Sequence, residues 1–321
     1  MALNHELAEI AAQALQMFLV LSVAPLVVGV TRKVKARVLR RVGPSLLQPY
    51  RDFWKLLHKE AVIAENASWL YRSVPYFLLA VTWVAAALVP TYAAGLLFSG
   101  SADLIAIVAL LAASRFALSL ASMDVGTAFG GIGSSREVMI ASLAEPAMLL
   151  IVFTVALVAG TTQLSTIAVH MISAPVGLRV SLGLALFAFV FVAIAENARI
   201  PIDNPATHLE LTMVHEAMVL EYSGRHLALI ELSSAIKLVL YFSLLACLFV
   251  PFGMATGEQD WQELAKGLGW YLLKLAGFAV LLPMGETAVA KMRVFRYPVF
   301  LGGAFAAGAL AVFLLFVSRG L

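Results

Sequence analysis

The sequence predicts an all-α integral membrane protein: about eight transmembrane helices, an interfacial amphipathic helix and a short cytoplasmic-side helix. Three observations predict it. The 321 residues are 62% hydrophobic and 13% charged, with a mean hydropathy of +0.93, whereas a soluble domain is nearer a quarter charged. The apolar runs are about 20 residues long and do not alternate in polarity, which fits spanning helices and not barrel strands. The basic residues gather in alternate loops between the runs, the pattern that orients a polytopic chain.

The elements follow in order. Spans are expected at about 11–31, 75–98, 102–122, 137–160, 179–197, 228–252, 268–290 and 298–318, in one polytopic membrane domain over residues 1–321. The opening stretch MALNHELAEIAAQALQMFLV has no Lys or Arg, so it lacks the basic start of a signal peptide and reads as a retained helix. In the long loop after the first span, LLQPYRDFWKLLHKE (46–60) puts Leu46, Tyr50, Phe53 and Leu57 at helical spacing, with Arg51, Lys55 and Lys59 on another side. That is an interfacial helix, either a basic anchor on anionic lipid or a docking surface for a cytoplasmic partner. GTAFGGIGSS (126–135) follows no strand and reads as a flexible turn, not a phosphate cradle. Asn204 before Pro205 predicts an N-cap and first helical residue. A helix from there puts Glu210, Val214, Ala217 and Glu221 on one face, with Glu216 pointing elsewhere.

Loops after the first, third, fifth and seventh spans hold sixteen Lys and Arg, against three on the other side. The positive-inside rule puts that first set in the cytoplasm and both termini outside.

Ionisable groups inside spans are costly and usually face a cavity, pair, or line an ion route. Here they are Arg115, Glu137, Glu145, Glu196, Glu231, Lys237, Lys274 and Glu286, which predicts a connected polar path or a set of isolated ion pairs. Glu137 and Glu145 are about 80° apart around a helix and can share one cavity at different depths. Glu231 and Lys237 are about 120° apart and need partners on other helices. Five acids with one arginine crowd residues 195–224: Glu196, Asp203, Glu210, Glu216 and Glu221 with Arg199.

Other chemistry is excluded. The net charge is +3, and the basic residues flank the membrane, so no nucleic acid is expected. Cys247 is the one cysteine, and one thiol builds neither an iron–sulfur cluster nor a zinc site. His208 and His215 stand about 10 Å apart along a helix, too far to share a metal. No catalytic centre and no metal ligands are expected in this chain.

Three segments carry a resemblance: KVKARVLRRVGPSLLQPYRDFWKLLHKE (33–60), GSSREVMIASLAEP (133–146) and AENARIPIDNPATHLELTMVHEAMVLEYSG (195–224). With the eight spans between them they resemble the membrane subunit shared by respiratory complex I, where it closes the quinone chamber, and the group 4 membrane-bound nickel–iron hydrogenases. Arg136 and Glu145 stand at that family's arginine and glutamate. Arg199, Pro201 and Asp203 match its core, but NPATHLELTMVHEAM follows, which is similar to the formate hydrogenlyase and hydrogenase-4 branch.

The resemblance implies a bacterial or archaeal cytoplasmic-membrane subunit that anchors a hydrogenase arm and joins electron transfer to proton or sodium movement. Its partners would be hydrogenase large and small subunits, an iron–sulfur subunit and antiporter-like membrane subunits, together with membrane lipid. Those partners would hold the nickel–iron centre and the iron–sulfur clusters. The implied coupling path is Glu137, Glu145, Glu196, Asp203, Glu210, Glu216, Glu221, Glu231 and Lys237. Arg115, Arg136 and Arg199 would balance its charge, and Arg40, Arg41, Arg51 and Lys55 would dock the arm. The alternatives are a quinone-chamber subunit of complex I, a passive anchor and, less in keeping with the resemblance, a free-standing transporter.

Overall fold

The first helix, α1 (Ala2–Val38), has 37 residues, about 55 Å at 1.5 Å per residue. It therefore overshoots a hydrocarbon core of about 30 Å and carries Lys35 and Arg37 beyond it on its last turn. The computed structural model describes residues 2–173, 180–203, 213–256, 261–293 and 296–319. The chain continues through α2 (Gln48–Leu57), α3 (Trp69–Leu88), α4 (Leu104–Asp124), α5 (Ala128–Ala159) and α6 (Leu164–Ser173). Then come α7 (Val180–Glu196), α8 (His215–Val219), α9 (Gly224–Phe249), α10 (Trp261–Ala288) and α11 (Tyr297–Arg319). Seven of these are long and apolar enough to cross a membrane, and α7 is a shorter apolar helix of 17 residues. The expected all-α membrane architecture is the one found.

Local chemistry sets the boundaries. Ser68 accepts the Leu70 N–H at 3.1 Å and Asp103 accepts the Ile105 N–H at 2.7 Å, capping α3 and α4. Thr127 accepts the Gly130 N–H at 3.2 Å and starts α5, which ends on left-handed Gly160. α2 lies where the amphipathic helix was expected. Its Tyr50 hydroxyl donates to the Ser22 carbonyl, while Leu46, Leu47, Trp54 and Leu57 stay exposed.

Four expectations are corrected. The second span is 69–88, not 75–98: Pro90 stops the helix, and the following loop pairs its backbone with residue 255 through Ala94 N–H to Ala255 O at 2.8 Å. The glycine-rich stretch 126–135 is no flexible turn beyond Thr127; it is the first part of α5, where Gly133 lets α8 approach closely and Gly130 lies against the Ser122 carbonyl of α4. Between α5 and α7 lies α6, an unexpected 10-residue apolar helix too short to span. The helix expected from Asn204 through Glu221 is not continuous. Residues 204–212, with Glu210 and His208, lie outside the described residues, Met213 and Val214 are not helical, and α8 ends before Glu221.

α9 is the hub: 72% of its most apolar stretch is buried, against 28% for α10 and for α11. It contacts α1, α2, α3, α6, α7 and α10. α5 packs on α4, α7 and α11, and α7 packs on α11. α10 packs chiefly on α1 and only lightly on α9, which leaves space between α10 and the α7–α11 pair.

Candidate functional site

Most of the charges predicted inside the spans meet at the end of α7. That helix closes with a Schellman motif: the Ala198 N–H bonds Ala195 O at 3.1 Å and the Arg199 N–H bonds Ile194 O at 3.0 Å. Ala198 takes the left-handed position, φ 48°, that glycine usually fills. The motif fixes Glu196 in the last turn of α7 and Arg199 just past it, so the two side chains serve different clusters.

The first cluster joins four helices. Arg115 on α4 donates through Nε to Glu137 Oε1 on α5 at 2.8 Å and through Nη1 to Glu196 Oε1. Lys237 Nζ on α9 lies 2.9 Å from Glu196 Oε2. Tyr241, one turn along α9, sets its hydroxyl against Glu196. The Arg115 and Glu196 side chains are 4% and 5% exposed, so the Coulomb attraction is little screened. A cavity of about 60 Å³ adjoins them, lined also by Thr82, Ser233 and His215. It has room for a few waters at about 10–15 Å³ each.

The second cluster centres on Glu286 of α10, whose side chain is 3% exposed. Lys35 Nζ reaches its Oε2 at 2.7 Å, and Arg199 Nη1 lies 3.6 Å from its Oε1. Burial pulls the Arg199 guanidinium below its ordinary pKa, with Glu286 acting in the opposite sense. Asp203 forms a third: it accepts the Val214 and His215 N–H groups at 3.2 Å each and pairs with Lys291 at 3.4 Å. It thereby caps α8 from outside.

Glu286, Lys35, Arg199, Asp203, Glu216 and Glu231 face a polar cavity of about 480 Å³. It shares Asn197, Ala198, His215 and Ser234 with the small cavity. The polar groups therefore form a connected series from the loop face into the bundle.

The remaining expectations fall as follows. Lys237 takes its partner from another helix, as its azimuth requires, whereas Glu231 is exposed to the polar cavity. Glu145 does not share the cavity of Glu137; it lies two turns deeper, outside its lining. Glu221 is exposed and lines neither polar cavity. Lys274 is off the path: its Nζ donates to Val250 O at 2.7 Å and Phe252 O at 2.5 Å, closing the end of α9. Arg136 donates to Met213 O at 2.7 Å and holds the approach to α8. Arg40, Arg41, Arg51 and Lys55 are exposed, with Arg41 at the rim of the larger polar cavity. Sequence reasoning did not assign Lys35, Tyr241 or Lys291 to the site. Glu286 was visible as a charge in an apolar run, but its partners come from distant segments.

Comparisons with known proteins give the family and the fold. A family described as NADH dehydrogenase matches residues 10–317. The chain is 34% identical to hydrogenase-4 component C of Escherichia coli K12, over 87% of each chain. It is 32% identical to formate hydrogenlyase subunit 4 of the same organism, over 88% of this chain and 90% of that one. With an NADH-quinone oxidoreductase subunit of Syntrophotalea carbinolica it shares 30% identity, over 81% of this chain and 80% of that one. Among solved structures it resembles a chain of the archaeal membrane-bound sulfane sulfur reductase, a respiratory membrane complex. That likeness has a TM-score of 0.82 and 20% identity, over 96% of this chain and 99% of that one.

Proposed function

This chain belongs to the NADH dehydrogenase family, in homology with the hydrogenase-4 and formate hydrogenlyase membrane subunits and with the corresponding subunit of NADH-quinone oxidoreductase, and we propose that it is the anchoring and ion-coupling subunit of a hydrogen-evolving nickel–iron hydrogenase complex. The observation that carries the coupling role is the connected series of charges from the 480 Å³ cavity to the Arg115–Glu137–Glu196–Lys237 cluster. Alignment over nearly nine-tenths of the chain with two hydrogenase subunits supports the branch.

The redox groups of such a complex belong to its partners. An iron–sulfur cluster needs several thiolates, and the chain's one cysteine is buried in α9, so these residues do not fit one. What this chain's residues do is hold charge in a poorly screened place and pass on its changes. The hydrogenase large and small subunits and an iron–sulfur subunit would dock over the polar cavity, beside Arg40, Arg41, Arg51 and Lys55. A charge arriving there acts on Glu216, Glu231 and Glu286 through a field that water screens only weakly. The turn at 197–199 stands between that cavity and Glu196, and antiporter-like subunits would receive the change beyond Glu145. By the positive-inside rule this cavity would face the cytoplasm and both termini would lie outside, in what the reading takes as a bacterial or archaeal membrane.

The first measurement is the composition and activity of the complex purified from native membranes through a tag on this chain. Nickel, iron–sulfur proteins and hydrogen evolution are expected. Flavin without nickel, with quinone reduction, would move the chain to the quinone-reducing branch, which its 30% identity to the Syntrophotalea carbinolica protein favours. In the assembled complex, Glu196→Gln should abolish ion movement while hydrogen evolution with a soluble donor continues. Unchanged ion movement would make the chain a passive anchor.

A further inference from the structure

Apart from the charged cavities lies a third, of about 540 Å³, between α7, α9, α10 and α11. Its walls are apolar along most of their length, with Phe189, Leu238, Phe242, Phe278 and Leu281 among them. Asn197, Arg199 and Glu286 occur together at one end, the end bearing the basic loops. The lining from α10 runs from Phe278 to Glu286, with Val289 just past the helix end, about 17 Å at 1.5 Å per residue. That is close to half a hydrocarbon core of about 30 Å, or one leaflet.

Two further features point to the occupant. Met292, in the connection from α10 to α11, lines the slot, as does Phe300 on α11. This connection carries Lys291, Arg293 and Arg296, the last two exposed. It is tied to the end of α7 by the Met292 N–H bond to Pro201 O at 2.9 Å. A cavity of this volume suits a slender apolar ligand.

We propose that this slot holds one acyl chain of an anionic phospholipid from the leaflet on the basic side, with its phosphate on the exposed Arg293 and Arg296 beside Met292. A one-leaflet length, an apolar wall and a cationic rim at one end are the three requirements of such a lipid, and the slot meets all three. The tail would keep water from the inner side of the Arg199–Glu286 pair. This inference holds for either branch of the family, so its failure leaves the hydrogenase reading standing.

The test uses the tagged complex in nanodiscs containing phosphatidylglycerol with a photoactivatable acyl chain, with adducts mapped by peptide mass spectrometry. Adducts are expected within 189–200 and 278–289, well above those from the same probe on phosphatidylcholine. Gly285 lines the slot, and a Cβ there meets nothing within 4 Å. Gly285→Leu should therefore put a side chain into the slot, occupy part of it and cut labelling roughly tenfold. The surface variant Arg293→Gln/Arg296→Gln should weaken phosphatidylglycerol labelling about 30-fold. Absence of adducts, equal labelling by the neutral lipid, or indifference to Gly285→Leu overturns the proposal. So does a cross-link from these residues to a partner subunit, or labelling by a photoactivatable quinone that phosphatidylglycerol does not displace.

Discussion

Arg115 holds two acids at once: its loss strands Glu137 and leaves Glu196 with Lys237 alone as a cation. The Arg115 side chain is 4% exposed, and its partners Glu137 and Glu196 lie on α5 and α7. Removing one member of a buried pair typically costs about 3–5 kcal/mol, because the remaining charge is uncompensated. Arg115→Ala should lower the thermal midpoint of the detergent-solubilised complex accordingly, and adding Glu196→Gln should restore part of the loss. A midpoint equal to that of the parent would mean that water already screens the cluster. These residues were legible in the sequence because a charge inside an apolar run has few reasons to be there. Their pairing was only partly so. Lys237 had to look to another helix, but nothing in the sequence joins Lys35 to Glu286, which are brought together only because α1 and α10 pack side by side. Glu145 went the other way: a rotation of about 80° permits a shared cavity, but two turns of depth separate it from the one Glu137 lines.

Among the elements, composition found the spans but not all their ends. Length and hydropathy place eight apolar helices, whereas α5 begins nine residues before the expected 137. Glycine is a poor helix former in water, so 126–135 reads as a turn; in the fold its glycines make room for a neighbour. A Cβ on Gly133 would lie 2.9 Å from Met218 Cγ and 3.0 Å from Val214 O. Gly133→Ala should therefore displace α8 and destabilise the protein by about 1–3 kcal/mol, despite alanine's better helix propensity. Limited proteolysis at 213–223 provides the check: faster cleavage is expected, and an unchanged rate would mean that α8 yields without cost. The break at Met213–Val214 was hidden for a related reason. Periodicity carries Glu210 through Glu221 on one helix, but the Asp203 carboxylate takes up the Val214 and His215 N–H groups and starts α8 afresh.

Over the whole molecule, the packing is uneven, and the unevenness makes the compartments. α9 is enclosed while α10 leans on α1, leaving one cavity polar and another apolar on the two sides of a single turn. Asn197, in that turn, lines all three cavities and donates to Ala193 O at 2.8 Å. The polar cavities were foreseeable from the acid-rich stretch; the apolar one depends on how far two helices stand apart, which no local pattern encodes. A membrane that stores an ion gradient is an insulator, and every hydrated recess thins it. Here the insulation between a polar recess and an apolar one is the backbone turn 197–199, with the Asn197 amide lining both sides. Shortening that side chain should cost the cell in leakage before it costs the protein in stability. Proteoliposomes carrying the complex with Asn197→Ala should lose an imposed pH gradient faster than the parent while retaining its melting temperature, and equal decay would show that the seal lies elsewhere.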